Sequence, residues 1–147
     1  MDERQRHRRG MSVRRAVLGQ AHVRRARDGE TDFNREFQDL ITRYAWGEVW
    51  SRPGLPRRTR SLLTLALMVA LGRGEELRLH LRGARHNGVT PAEIKEVLLH
   101  TAIYCGVPAA HAAFQVAEEV LAEMEAEGTR EPHSGGRPRR GKKRTPR

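Results

Sequence analysis

Apolar residues recur along this chain with a helical period and nowhere alternate with period two over a useful length, so helices are expected and a sheet is not. Between residues 12 and 28 the signal is weak: Val13, Ala16, Val17 and Ala21 form a stripe that Gly19 interrupts. A stronger helix is predicted from Thr31 to Trp50, where Phe33, Phe37, Leu40, Ile41, Tyr44, Ala45 and Val49 return every three or four positions. The run Ser51-Arg52-Pro53-Gly54-Leu55-Pro56 then forces a turn, because its prolines and glycine do not continue a helix. From about Arg57 to Leu71 the next helix is apolar on nearly every side, which predicts burial all round, at the domain centre or against another subunit.

Two helices joined by a tight turn follow. The first carries Glu76 and His80 and closes at Asn87-Gly88. The second opens with Thr90-Pro91-Ala92-Glu93, where Thr caps, Pro takes the first helical position and Glu completes a capping box; Gly106 ends it. His80 shares helical spacing with Leu77, Leu81 and Ala84, so a titratable ring points toward apolar ground. A last helix starts at Pro108, carries Ala110, Ala113, Phe114, Ala117, Val120, Leu121 and Met124 on one stripe, and stops at Gly128. The expected fold is an all-α bundle of five to six helices over residues 12–128. Residues 1–11 read as a basic disordered extension, and residues 129–147, which are Pro, Gly, Arg and Lys with almost nothing apolar, as a basic disordered tail.

Charge sharpens that division. Of the formal net charge of +10, residues 129–147 contribute +7 and residues 1–10 contribute +2, which leaves the body at +1. The basic balance therefore describes the ends, and a nucleic-acid-binding module finds no support in the body. The tail has no aromatic residue for base stacking, so at most it offers salt-sensitive attraction to phosphate. A single cysteine cannot form an intramolecular disulfide, and no apolar run approaches the roughly 18–20 residues that span a bilayer. The N-terminus lacks the apolar core of a signal peptide, so the expectation is a cytoplasmic protein with no membrane partner.

Three stretches carry more specific information: VRRAVLG with the following HV (13–23), FNREFQDLITRYAWGEVWSRPGLPRRTRSLLTLALMVAL (33–71), and EELRLHLRGARHNGVTPAEIKEVLLHTAIYCGVPAAHAAF (75–114). Together they resemble the γ-carboxymuconolactone decarboxylases over about residues 12–126, most specifically from Trp46 to Arg60 and from Glu75 to Pro108. The resemblance implies the fold of the alkylhydroperoxidase D-like proteins, an all-α domain that assembles into trimers or hexamers. It also implies a cofactor-free decarboxylation in the protocatechuate branch of the β-ketoadipate pathway. Peroxidase members of that superfamily carry Cys-x-x-Cys with a His four residues on. Here those positions fall on Arg73, Glu76 and His80, so the dithiol is missing and the His remains. Cys105 has no companion to resolve an oxidised thiol, which disfavours the peroxidase alternative.

The substrate so implied is an unsaturated lactone with one carboxylate on the ring carbon beside the ring oxygen and another on an acetate arm. Loss of carbon dioxide leaves an electron pair conjugated through the double bond to the lactone carbonyl. The substrate is its own electron sink, and no pyridoxal, thiamine or metal is required. The protein must anchor a dianion, stabilise an enolate oxygen and protonate the carbon next to the carbonyl. Arginine suits the first task, with Arg60 favoured because it opens the apolar helix, and Arg52 beside it. His80 suits proton delivery, and Glu76 one turn earlier would fix its tautomer and keep it protonated. Tyr104 is a candidate donor to the enolate oxygen, Glu96 a second acid/base, and Trp50 with Trp46 a wall of the pocket or a packing pair. The irregular spacing of His100, Cys105 and His111 argues against a metal site. A related enzyme acting on another lactone or keto acid is the main alternative.

Overall fold

A computed structural model describes residues 1–130, and among these it contains helices and no strand. Helix α1 spans Glu3–Leu18, α2 Gln20–Asp28 and α3 Arg35–Ile41, which runs without a break into a π-helical segment, Thr42–Val49. After the Pro-Gly-Pro turn come α4 (Arg57–Ala70), α5 (Gly74–His86), α6 (Pro91–Tyr104) and α7 (Val107–Arg130). The all-α architecture agrees with the sequence expectation, with seven α-helices where five to six were counted. Residues 131–147, most of the expected tail, lie outside the described residues.

The extra helix comes from the N-terminus. Residues 1–11, expected to be disordered, belong largely to α1, whose N-cap Asp2 forms a reciprocal capping box with Gln5. Its charges are used rather than solvated: Arg6 pairs with Glu48, His7 with Asp39, and Glu3 accepts from Arg43 and from the Tyr44 hydroxyl. Gly19, at φ 89°, ends α1 and turns the chain into α2. The capping box at Thr90 and Glu93 forms as the sequence indicates, with Pro91 in the first turn of α6. The last helix starts one residue before Pro108 and runs past Gly128 to Arg130.

Two cores result. The larger gathers Leu65 and Val69 of α4, Leu77, Leu81 and Ala84 of α5, Val89, Ile94 and Leu98 of α6 and its approach, and Ala113, Ala117 and Val120 of α7. The smaller gathers Val13, Val17 and Leu18 of α1 with Trp46, flanked by Ala45, Trp50 and Leu79. Helix α5 lies between them and contributes to both. Helix α4 is not buried all round: Ser61, Leu65 and Val69 face inward, whereas Leu63, Leu67 and Leu71 stand exposed. That excludes the domain-centre option for this helix.

Candidate active site

His80 points away from the larger core. Leu77, Leu81 and Ala84 turn toward α4 and α7, while His80 turns toward the π segment, where its ring lies nearly parallel to two indoles. The centroid of His80 is 6.5 Å from Trp46 and 6.4 Å from Trp50, with interplanar angles of 16° and 14°. The two indoles are themselves stacked at 5.0 Å. The π-helical turn brings them there, since it widens the backbone over Thr42–Val49 and resets the direction of Trp46 and Trp50. A hydrogen bond from Ser51 Oγ to the Trp46 carbonyl (2.7 Å) and one from Arg9 to the Ser51 carbonyl (2.8 Å) hold the end of that segment.

This setting makes His80 a weak base. Burial, and then the proximity of His22, push its pKa down to about 4, against a smaller upward pull from Glu76. In the free protein at neutral pH the ring is therefore uncharged. Glu76 is exposed and no hydrogen bond joins it to His80 among the described residues, so the expectation that it keeps the ring protonated does not hold.

The other sequence candidates divide between two places. Arg60 donates from Nη2 to the Arg52 carbonyl (3.2 Å), which ties it to the turn that follows Trp50, and its Nε is buried without a partner. Arg52 is exposed and reaches Glu48 at 4.0 Å. Trp50, Arg52 and Arg60 are thus gathered around one turn, beside His80. Glu96 and Tyr104 are not. Both are exposed on α6, and the ring of Tyr104, 79% exposed, stacks on His100 at 4.8 Å. Within one subunit neither is part of the His80 site.

Two residues that sequence reasoning passed over belong here. His22 on α2 interacts electrostatically with His80, and its own pKa is lowered by burial and then by Arg14 and Arg25. Arg14 is buried, yet no carboxylate pairs with it. Nothing local marks either one. They arrive because α1 packs on α5 at Gly83, where a β-carbon would sit 3.1 Å from the Val17 carbonyl oxygen.

The site's chemistry meets its relatives at this point. The model of the carboxymuconolactone decarboxylase family matches residues 35–119, from α3 into α7, including Trp46, Trp50, Arg60 and His80. The chain belongs to the carboxymuconolactone decarboxylase family. It is 54% identical over 124 residues to the 4-carboxymuconolactone decarboxylase of Acinetobacter baylyi, covering 84% of this chain and 92% of that protein. It is 48% identical over 119 residues to the nitrosuccinic acid decarboxylase npaB of Metarhizium robertsii, covering 81% and 83%. A 4-carboxymuconolactone decarboxylase of Pseudomonas putida matches with 60% identity over 48 residues, 33% of this chain and all of that one. Helices α1 and α2, which carry Arg14 and His22, precede the segment that the carboxymuconolactone decarboxylase model matches.

Proposed function

We propose that this chain is a carboxy-lyase that converts 4-carboxymuconolactone to β-ketoadipate enol-lactone in protocatechuate catabolism. The kinship to the Acinetobacter baylyi enzyme over nearly the whole of both chains supports it, and the observation that carries the mechanism is the neutral His80 ring enclosed by Trp46 and Trp50. Decarboxylation of the dianion consumes one proton, and His80 supplies it. A dianion docked beside the ring raises its proton affinity, so protonation accompanies binding. As the bond to the ring carboxylate breaks, carbon dioxide leaves and the electron pair moves through the double bond onto the lactone carbonyl. The imidazolium then protonates the carbon next to that carbonyl and returns to its neutral form. Trp46 and Trp50 exclude water from the ring, and Arg60 with Arg52 meets the anionic substrate at the neighbouring turn.

The active species in this reading is a homo-oligomer, a trimer or hexamer, in the cytoplasm. Exposed Leu63, Leu67 and Leu71 on α4 and exposed Leu99 and Ile103 on α6 support assembly, because single-chain surfaces seldom leave such apolar stripes open. Among the described residues no helix is long and apolar enough to cross a membrane. Tyr104 and Glu96 lie on that same α6 surface and would enter the chemistry only from a neighbouring subunit.

The deciding experiment supplies 4-carboxymuconolactone to the purified chain and follows its ultraviolet absorbance. Turnover without added cofactor is expected; an unchanged spectrum overturns the proposal. The similarity to npaB gives a second reading, a decarboxylase of nitrosuccinic acid, in which the nitro group is the electron sink. Turnover of nitrosuccinate but not of the lactone would favour it.

A further inference from the structure

Arg14 is only 7% exposed, on the face of α1 that looks toward α3. Its Nη1 donates to Gln38 Oε1 (3.2 Å) and Thr42 Oγ1 (3.3 Å), its Nη2 donates to the same Gln38 oxygen (3.2 Å), and its Nε has no partner. All three bonds are long and end on neutral oxygens. A buried guanidinium held this way is an uncompensated charge, and proteins retain such a charge at a cost of several kcal/mol where it is neutralised only part of the time. Burial also lowers its proton affinity, as expected for a cation without a counterion.

The surroundings say what neutralises it. Arg14 and Thr42 line a cleft of about 950 Å³ between α1, α2 and α3, which also receives Arg8, Arg15, Arg27 and Arg35. His22 feels the charge of Arg14 on one side and interacts with His80 on the other, so the buried cation is electrically continuous with the decarboxylation site. An arginine fork is shaped for a carboxylate.

We infer that Arg14 is a substrate-binding residue, the anchor for the carboxylate that the product keeps, with His22 between it and His80. The retained carboxylate is the suitable one. A fork gripping the departing group would stabilise the ground state and oppose its loss, whereas a grip on the acetate arm acts equally on substrate and transition state. The inference rests on the proposed decarboxylation for the identity of the dianion, but not for the existence of the anion site.

The test compares the wild-type chain with Arg14→Met and Arg14→Lys, measuring kcat and KM for 4-carboxymuconolactone and melting temperature with and without succinate as a plain dicarboxylate. Arg14→Met should raise KM at least about thirtyfold with kcat changed little. It should melt no lower than wild type without ligand, and it should lose the rise in melting temperature that succinate gives the wild type. A lower melting temperature with unchanged KM would make Arg14 a strut for Gln38 and Thr42 and overturn the inference. If Arg14→Met fails to fold, Arg14→Lys decides: a raised KM supports the anchor and an unchanged one refutes it. If the wild type does not turn over the lactone, the functional proposal falls. The anchor is then judged by succinate alone, supported by a rise confined to the wild type and refuted by its absence there.

Discussion

Gly10 of α1 and Gly47 of the π segment cross with their backbones in contact. A β-carbon built on Gly10 would lie 3.0 Å from the Gly47 nitrogen and would overlap the Thr42 carbonyl oxygen. One built on Gly47 would overlap the Arg6 carbonyl oxygen. Because the obstructing atoms are backbone, no rotamer change relieves the clash, and the two segments must separate. Gly47→Ala should therefore cost about 1–3 kcal/mol or more, read as a lower midpoint in thermal or urea melts. The shift in α1 should also redden the tryptophan fluorescence, since Val13 and Val17 cover Trp46. Removing residues 1–10 should have the same two effects. A shortened chain with unaltered melting and fluorescence would show that this crossing contributes nothing.

His80 gives a pH dependence with a defined sign. Its folded pKa, about 4, lies below the ordinary 6.5, so the unfolded chain binds the extra proton first. The contribution to stability is complete above pH 6.5 and is lost as pH falls through the window down to about 4. The span of that window corresponds to on the order of 3 kcal/mol, and His22, shifted in the same direction, adds to the slope. His80→Gln should flatten the stability profile over this range while lowering turnover by about 10²–10⁴-fold. Chemical denaturation at a series of pH values, with circular dichroism to confirm the helical fold, measures both. Near-wild-type turnover in the variant would reject His80 as the proton donor.

Trp50 keeps water from one side of the imidazole, so Trp50→Ala should move the His80 pKa up from about 4 toward its ordinary value. Proton NMR of the histidine C–H signals follows this directly. Trp46, 6% exposed and part of the smaller core, is a different case: Trp46→Ala should cost about 3–5 kcal/mol. A pKa unmoved by loss of Trp50 would mean that the first residues of α2, with His22, supply the burial instead.

Helical periodicity made most of this fold legible. The stripes of α4 to α7 are regular, and the signals at Thr90, Asn87-Gly88 and Gly106 sit where helices begin and end. The N-terminal helix was not legible, because its stability comes from ion pairs and a glycine crossing rather than from an apolar stripe: only Gly10, Val13, Arg14, Val17 and Leu18 of α1 are buried. The π segment was hidden for a related reason, since apolar spacings of three and four do not distinguish it from an α-helix. At the site, His80 with its apolar setting could be read locally. His22 and Arg14 could not, because their relevance arises from contacts between distant elements. Glu76 was misjudged for want of one quantity, the burial that outweighs its charge at His80.

The exposed apolar stripes offer a last prediction. Leu67 on α4 is 56% exposed and Ile103 on α6 is 81% exposed, values that fit helix faces covered by a second copy better than faces left in water. Neither side chain belongs to the cores, so a charge at either position costs a lone subunit little. In an interface the same charge would be buried without a partner, at several kcal/mol for each contact. Leu67→Glu and Ile103→Asp should therefore yield subunits that elute and scatter light as monomers while keeping their helical spectrum. Turnover measured on those monomers separates the two roles of the α6 surface. Loss of activity on dissociation would place Tyr104 or Glu96 of a neighbouring subunit at the His80 site, and retained activity would confine the chemistry to one chain. A wild-type protein that is monomeric by light scattering removes the assembly altogether.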